Sequence, residues 1–413
     1  MRYGLIGEHL PHSFSKTIHE YIGRYEYELI EVARDEIDAF MRKKDFTAIN
    51  VTIPYKQTVI PYLDEISERA RSIGAVNTIV NRNGRLYGDN TDFGGMEALI
   101  SKMRLNLEGK KVLILGTGGT SKTAYAVAKS LGAESIYKVS RSAKDGAIYY
   151  EEACEKHSDA QIIINTTPCG MYPNSYSRPI NLEKFKNLEG VVDAIYNPLS
   201  TMLVLQAREL NANASGGLYM LVAQAVLASE IFTGEPLGSE IIDEIYGKLV
   251  DEKRNIVLVG LPSSGKTTAG KRLSEITGRE LIDSDDEIIK REGVSISEIF
   301  SKRGEAAFRD IESEVIADIS KKNSIIIATG GGAPLRKKNV DALKSNGIIV
   351  FLDRDPDTLI PTDDRPLFNE KAKMKKLYKE RYPIYTAAAD ICFKADCGYE
   401  ETGDLVYELL KKQ

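Results

Sequence analysis

The stretch that most constrains this chain is Asn255 to Thr268, NIVLVGLPSSGKTT. Ile256 to Val259 is an apolar run too short for a helix and typical of a fully buried parallel strand. The run breaks at Gly260, and Gly265-Lys266-Thr267 opens a predicted helix through Leu273. This is the G-x-x-x-x-G-K-[ST] pattern in the strand–loop–helix context that a phosphate loop requires. Its glycines let backbone N–H groups curl around phosphate oxygens, and the helix N-terminus adds positive potential. Lys266 is expected to reach the β- and γ-phosphates of a nucleoside triphosphate and the Thr267 hydroxyl to bind Mg²⁺, with Gly260, Ser263, Ser264, Gly265 and Thr268 completing the cradle. The alternative is a chance Gly-Lys-Thr turn, which four fixed positions produce in on the order of one such chain in a hundred.

At 413 residues the chain is too long for one ordinary core, and two to three domains are expected. A hydrophobic fraction of 42% and a charged fraction of 28% are those of an ordinary globular protein. The net charge of −5 argues against a nucleic-acid or anionic-membrane partner. Cys154, Cys169, Cys392 and Cys397 are scattered without a metal-ligand cluster around them, which suits thiols in a reducing compartment. The first ten residues, MRYGLIGEHL, lack the apolar core of a signal peptide, and no apolar run approaches membrane-spanning length. A cytoplasmic location is expected.

From the N-terminus, residues 2–6 read as a strand that enters a turn-rich stretch. Ser13 and Ser15 lie two apart, so an extended backbone aims both hydroxyls to one side; equally, Ser15 can cap the helix that follows. Ala48 to Ile53 alternates and is β-branched, hence a strand, ended by Pro54. Lys56 follows in the loop or in a first helical turn, either a solvated surface cation or one whose pKa a helix N-terminus lowers for proton transfer. Gly74 to Val80 and Gly88 to Asp92 are strand-then-turn units, and Asp92 can cap the helix carrying Met96, Leu99, Ile100 and Met103.

In combination, Ser13-x-Ser15, Asn50-Val-Thr-Ile-Pro-Tyr-Lys56, Ala75-Val-Asn77-Thr and Gly88-Asp-Asn-Thr-Asp92 resemble shikimate dehydrogenase, and the resemblance continues to about residue 250. It implies that Ser13 and Ser15 hold the substrate carboxylate, that Thr52 and Asn77 grip substrate hydroxyls, and that Lys56 and Asp92 are the catalytic pair. Lys16 and Glu20 depart from the proline and asparagine usual in the family.

Lys111 to Leu115 is a buried strand followed by Gly116-Thr117-Gly118-Gly119-Thr120-Ser121 and a helix with Ala124, Val127, Ala128 and Leu131 on one face. This is a dinucleotide-binding opening, with Ser121 where the third glycine of G-x-G-x-x-G would stand. The next strand, Ser135 to Val139, ends in Ser140-Arg141-Ser142; an arginine there suits a ribose 2′-phosphate, so NADP(H) is expected over NAD. Asn165 to Pro173 resembles the family's loop bordering the nicotinamide, Val191 to Pro198 the unit that carries Tyr196 toward the substrate, and Gly216 to Gln224 a helix opening whose Gln224 contacts substrate. Gly217, at that opening, is expected to border the cofactor.

In the C-terminal half, Asp283 and Asp285 lie two apart and either converge on a metal-and-hydroxyl site or cap a helix. Arg309 sits in a helical stretch, Gly330-Gly331-Gly332 removes every side chain after a strand, and Asp364-Arg365-Pro366-Leu367 lies in a polar segment suited to a lid. With the phosphate loop, these features resemble shikimate kinase over 254–413. The resemblance implies Asp285, Arg309, Gly331, Gly332 and Arg381 around shikimate, Arg365 over the transferring phosphoryl group, and Asp283 near Mg²⁺. Thr358 to Asp364 lacks the further arginine that the family usually carries there.

The expected architecture is α/β throughout: a discontinuous substrate domain (1–95 and 217–250), a Rossmann-type NADP domain (96–216), a charged linker (251–254), and a three-layer phosphate-loop kinase domain (255–413). The expected function is bifunctional. NADPH-dependent reduction of 3-dehydroshikimate would use Lys56 and Asp92; ATP-dependent phosphorylation of shikimate would use Lys266, Asp285 and Arg365. Small molecules are the expected partners. One rival is a quinate-preferring dehydrogenase joined to a small-alcohol kinase; another makes the C-terminal half a nucleotide-sensing module.

Overall fold

The computed structural model describes residues 2–10, 14–143, 146–359 and 371–412, and Ser13 and Arg365 lie outside the described residues. The chain divides into two compact units, Met1–Leu249 and Val250–Gln413.

The first unit holds two sheets. One contains β1 (Tyr3–Gly7), β2 (Tyr27–Glu31), β3 (Ala48–Val51), β4 (Glu65–Ile66), β5 (Thr78–Arg82) and β6 (Arg85–Asp89), in the order β2-β1-β3-β5-β6-β4. Its first three strands are parallel, whereas β5 runs antiparallel to both β3 and β6. The Asn83-Gly84 turn explains the β5–β6 hairpin, both residues taking positive φ (55° and 86°). Gly74 has φ 70° and closes the helix Glu68–Ile73, so the strand expected from 74 begins only at Thr78. The helix Leu218–Thr233 packs against Thr91–Lys102 and Phe14–Ile22, which covers this sheet with chain from both ends of the unit.

The second sheet is parallel: β7 (Lys111–Leu115), β8 (Ser135–Val139), β9 (Ile162–Asn165), β10 (Gly190–Asp193) and β11 (Asn213–Ser215), in the order β11-β10-β9-β7-β8. Its strands Ile162-Ile-Ile-Asn165 and Gly190-Val-Val-Asp193 are buried throughout, the pattern of strands covered on both faces.

The second unit holds a further parallel sheet of β12 (Asn255–Val259), β13 (Leu281–Asp283), β14 (Ile326–Ala328), β15 (Gly347–Asp353) and β16 (Ile391–Lys394), in the order β13-β14-β12-β15-β16. The switch in connection direction at β12 makes the crevice beyond its carboxyl end the expected ligand site. Apolar clusters lie on both faces of this sheet, one around Val257, Ile327 and Phe351, the other around Leu258, Leu273 and Val350.

Three local expectations change. The residues expected as a linker are largely helical, Asp251 to Lys253 being the last turn of Ser239–Lys253. The boundary expected at 95/96 falls inside the helix Thr91–Lys102. No α-helix follows Lys56: residues 53–59 form turns and only the short 3-10 segment Ile60–Tyr62 comes after, so the helix N-terminus near its ammonium is that of Thr91–Lys102, reached through Asp92, and not one of its own segment.

Candidate active sites

In the first unit a cavity of about 820 Å³ is lined by Ser15, Thr52, Lys56, Asn77, Asp92, Tyr196 and Gln224, and also by Gly119, Thr120 and Gly217. The residues expected to hold substrate and part of the glycine loop therefore border one space. Asn77 organises its polar wall. Its Oδ1 accepts the Thr91 backbone N–H at 2.8 Å, satisfying a free donor of the helix Thr91–Lys102. Its Nδ2 donates to Asp92 Oδ1 at 2.9 Å and Thr91 Oγ1 at 3.1 Å. Asp92 Oδ2 accepts from the Lys56 ammonium at 2.6 Å. Backbone bonds from Val76 N–H to Lys56 C=O and from Val51 N–H to Asn77 C=O hold the two loops in register.

The helix Leu218–Thr233 brings Gln224 to the same wall. A Cβ at Gly95 would lie 2.6 Å from the Met220 carbonyl and 3.0 Å from Gln224 Cβ, so only glycine permits this helix contact. Tyr196 packs edge-on against Phe14 at 5.3 Å, and burial raises its phenol pKa.

The cofactor loop runs from β7 into the helix Gly119–Ser130, with Gly118 as N-cap. Gly116 has φ 109°, and a Cβ there would lie 2.8 Å from Thr166 Oγ1, so the loop requires glycine twice over. Ser121, standing at the third-glycine position, is fully buried on the helix. Ser140, Arg141 and Ser142 follow β8; Arg141 and Ser142 are exposed, with the Ser142 N–H donating to Ser140 Oγ at 3.3 Å.

Residues missed by sequence reasoning brace these loops. Asp193, at the end of β10, accepts from Thr201 Oγ1 at 2.6 Å, Asn165 Nδ2 at 3.0 Å and the Ile195 N–H at 3.0 Å. Burial pushes its pKa up to about 6. His19 also lines the cavity, stacked on Tyr27 at 3.9 Å and paired through Nδ1 with the Tyr25 hydroxyl at 2.8 Å. Burial lowers its pKa to about 3, so the ring is neutral. The available signal was weak: polar residues at strand ends, and one histidine on an amphipathic helix.

In the second unit the phosphate loop carries positive φ at Gly260 (152°), Ser263 (62°) and Gly265 (93°). A Cβ at Gly265 would enter the Tyr399 ring. Ser264 and Lys266 are buried, and the Lys266 ammonium donates to the Gly260 and Leu261 carbonyls at 3.1 and 2.7 Å. Thr267 Oγ1 donates to Asp283 Oδ2 at 2.9 Å, and Thr268 is exposed in the first helical turn. Asp283 and Asp285 do not share an extended face. Asp283 caps the helix Ser284–Glu292 through the Asp285 N–H, whereas Asp285 turns to Gly330, where an added Cβ would lie 2.6 Å from its Oδ1.

Opposite the phosphate loop, Arg309 donates to Glu312 at 2.8 Å and Glu305 at 3.2 Å. Any Cβ at Gly332 would collide with the Arg309 guanidinium, and the Gly331 carbonyl accepts from Arg381 Nη1 at 2.8 Å and Tyr385 Oη at 2.5 Å. The glycines thus bring Asp285, Arg309 and Arg381 around one strip of bare backbone. Glu312, missed as a site residue, is fully buried, and burial raises its pKa. Its signal was the Arg-x-x-Glu spacing.

Among the described residues no cluster of three or more His, Cys, Asp or Glu side chains could hold a metal alone. The Thr267 hydroxyl and Asp283 carboxylate offer hard oxygen donors beside the phosphate loop. That set fits Mg²⁺, which keeps waters and takes remaining ligands from substrate phosphates. No described helix is long and apolar enough to cross a membrane.

The shikimate kinase family model matches residues 262–411, and the shikimate dehydrogenase substrate binding domain matches residues 5–79. The shikimate dehydrogenase (NADP(+)) of Clostridium beijerinckii is 36% identical over 267 residues, spanning 60% of this chain and 98% of its own. That of Geobacillus kaustophilus is 38% identical over 255 residues, spanning 56% and 92%. Among solved structures, a chorismate mutase/shikimate 5-dehydrogenase fusion protein from Clostridium acetobutylicum is 38% identical with TM-score 0.56, covering 60% of this chain and 96% of its own. Shikimate 5-dehydrogenase from Thermus thermophilus in complex with NADP(H) and shikimate is 27% identical with TM-score 0.54, covering 60% and 99%. Through its first unit the chain belongs to the shikimate dehydrogenase family, and its second unit carries a shikimate kinase domain.

Proposed function

We propose that the chain performs two successive reactions on one small carboxylate: reduction of 3-dehydroshikimate to shikimate, then phosphorylation of shikimate. The observation that carries this reading is the single cavity joining the Lys56–Asp92 pair to the Gly119–Thr120 loop, in a chain that also bears a complete phosphate loop. NADPH, when bound at Gly116 to Thr120 with Arg141 at its 2′-phosphate, supplies the hydride. Lys56 delivers the proton to the developing alkoxide, and Asp92 keeps the ammonium oriented. Ser15, Thr52, Asn77, Tyr196 and Gln224 fix the ring so that the ketone carbon faces the cofactor side; Ser13 joins Ser15 in this proposal.

In the second unit, Arg309 and Arg381 hold the shikimate carboxylate while Asp285 takes the proton of the attacking hydroxyl. Lys266 leaves the loop carbonyls for the β- and γ-phosphates, whose full negative charge attracts the ammonium more strongly than neutral carbonyls do. Thr267 and Asp283 would hold Mg²⁺, which neutralises phosphate charge; Arg365 is assigned to the transferring group. A discontinuous substrate domain (1–95 and 217–250) around an NADP domain (96–216) belongs to the same proposal.

The test is incubation of the full chain with 3-dehydroshikimate, NADPH, ATP and Mg²⁺. Shikimate 3-phosphate is expected. Shikimate without its phosphate would remove the kinase assignment, and consumption of neither cofactor would remove both.

A further inference from the structure

Arg354 lies just beyond β15 and is only 7% exposed. Its guanidinium spends three donors on uncharged oxygens: Nε on the Ser264 carbonyl at 3.1 Å, Nη1 on the Cys397 carbonyl at 2.9 Å, and Nη2 on Thr402 Oγ1 at 3.0 Å. Its face covers the Tyr399 ring at 4.3 Å. Both flanking carboxylates turn elsewhere, Asp353 accepting from Tyr378 Oη and Asp355 from the Asp357 N–H, each at 2.8 Å. No carboxylate of the described residues pairs with Arg354.

A buried cation without a counter-anion is costly, and proteins normally pair it. Here the cation touches the backbone of the phosphate loop, whose ligand is strongly anionic. The missing counter-charge is therefore explained if it arrives with the nucleotide. The geometry adds a second effect. Carbonyl and N–H point to opposite sides of a trans peptide, so pinning the Ser264 carbonyl toward Arg354 turns the Gly265 N–H away from it. Tyr399 Oη holds the preceding carbonyl, that of Ser263, at 3.3 Å, against a residue kept at φ 62°. Two adjacent peptides of the loop are thus set by side chains that follow β15 and β16. The residues assigned to the acceptor, Asp285, Gly331 and Gly332, follow β13 and β14, on the other side of β12.

We propose that Arg354 is a nucleotide-positioning residue: it sets the phosphate-loop backbone at Ser264–Gly265 and supplies a buried positive charge that the bound phosphates answer. This rests on the reading of the second unit as an ATP-using kinase. The attraction acts on charge, so its contribution grows with the number of phosphates, whereas a mere strut would affect every nucleotide alike.

The experiment measures equilibrium affinity of the full chain for ATP, ADP and AMP, with shikimate affinity as the check on folding of the second unit. Arg354→Met is expected to weaken ATP by at least about tenfold, ADP by less and AMP least, with shikimate unchanged. Arg354→Lys, which restores the charge but not the fork, is expected to recover most of the ATP affinity. Equal losses for the three nucleotides, or Arg354→Lys as weak as Arg354→Met, would overturn the proposal. Should Arg354→Met lose shikimate binding too, Arg354→Lys alone decides: ATP affinity within about threefold of wild type supports the charge role, and uniform loss across the nucleotides overturns it. Wild-type protein that binds shikimate but no ATP would overturn the kinase reading itself, and this inference with it.

Discussion

Replacing Lys56 by alanine separates chemistry from structure in the first unit. The ammonium lies 2.6 Å from Asp92 Oδ2, with side-chain exposures of 27% for Lys56 and 11% for Asp92. In the proposed mechanism its removal takes away a positioned proton donor, a loss of about 10²–10⁴ in rate, or roughly 3–5 kcal/mol of barrier. It also leaves Asp92 nearly buried, but Asn77 Nδ2 still donates to Oδ1 and water reaches the vacated position. The structural penalty is accordingly about 1–2 kcal/mol, below the limit for a fully buried pair. For a unit of this size that corresponds to a fall in Tm of roughly 2–8 °C. Loss of NADPH absorbance with 3-dehydroshikimate measures the first quantity, and a thermal scan the second. Lys56→Arg sharpens the contrast. Arginine keeps the charge beside Asp92 but does not surrender its proton in a protein, so stability should return while reduction does not. A Lys56→Ala enzyme within about tenfold of wild type would refute the proton-transfer role, since that loss is smaller than a general acid supplies. A Lys56→Arg enzyme reducing the ketone at the wild-type rate would reassign Lys56 to electrostatics alone.

Three further outcomes are expected. Arg141→Ala should raise KM for NADPH about tenfold and leave NADH nearly unchanged, because only NADPH carries the 2′-phosphate; steady-state kinetics with both cofactors checks it. Gly332→Ala should weaken shikimate by at least about tenfold while ATP binding persists, because the new Cβ would displace the Arg309 guanidinium; calorimetric titration of each ligand distinguishes the two. Asp193 has its folded-state pKa raised by burial to about 6, above its ordinary value of 3.8. Its contribution to stability is therefore fully present below about pH 4 and lost as pH rises through about 6, a span of about 3 kcal/mol. Wild type should gain stability relative to Asp193→Asn as pH falls from 7 to 4, and parallel stability–pH curves would show that Asp193 does not titrate in this window.

What could be read from the chain divides along a physical line. The phosphate loop is local: Gly260 and Gly265 bound the loop after the strand and Lys266 and Thr267 open the helix, so spacing alone shows their arrangement. The Gly116 to Thr120 loop is readable for the same reason. Lys56 and Asp92 are different, being 36 residues apart, and nothing in either neighbourhood says that they meet. Their pairing followed from a resemblance, and the structure supplies its cause in Asn77, which bonds the helix N-terminus and Asp92 together. Local reasoning has a limit at Asp283 and Asp285, where spacing two leaves a shared metal-and-hydroxyl face and a helix cap both open; the backbone becomes helical at Ser284 and Asp283 caps it.

The residues that escaped reading have a common chemistry. Asp193 and Arg354 bond mostly to backbone groups or hydroxyls, partners that every sequence contains in abundance. A carboxylate–ammonium pair or a glycine run leaves a compositional trace; a guanidinium aimed at a carbonyl 90 residues away leaves none. Such groups become visible only when burial is known, because burial is what makes an ionised side chain costly enough to require a reason. For Asp193 the reason is internal: three donors from two loops converge on it, and it binds the Tyr196 segment to the Asn165 segment. For Arg354 the described residues offer no anion, and the proposal assigns the reason to the ligand. The same physical test, applied to two equally silent positions, thus separates a residue that shapes a site from one that also waits for what the site binds.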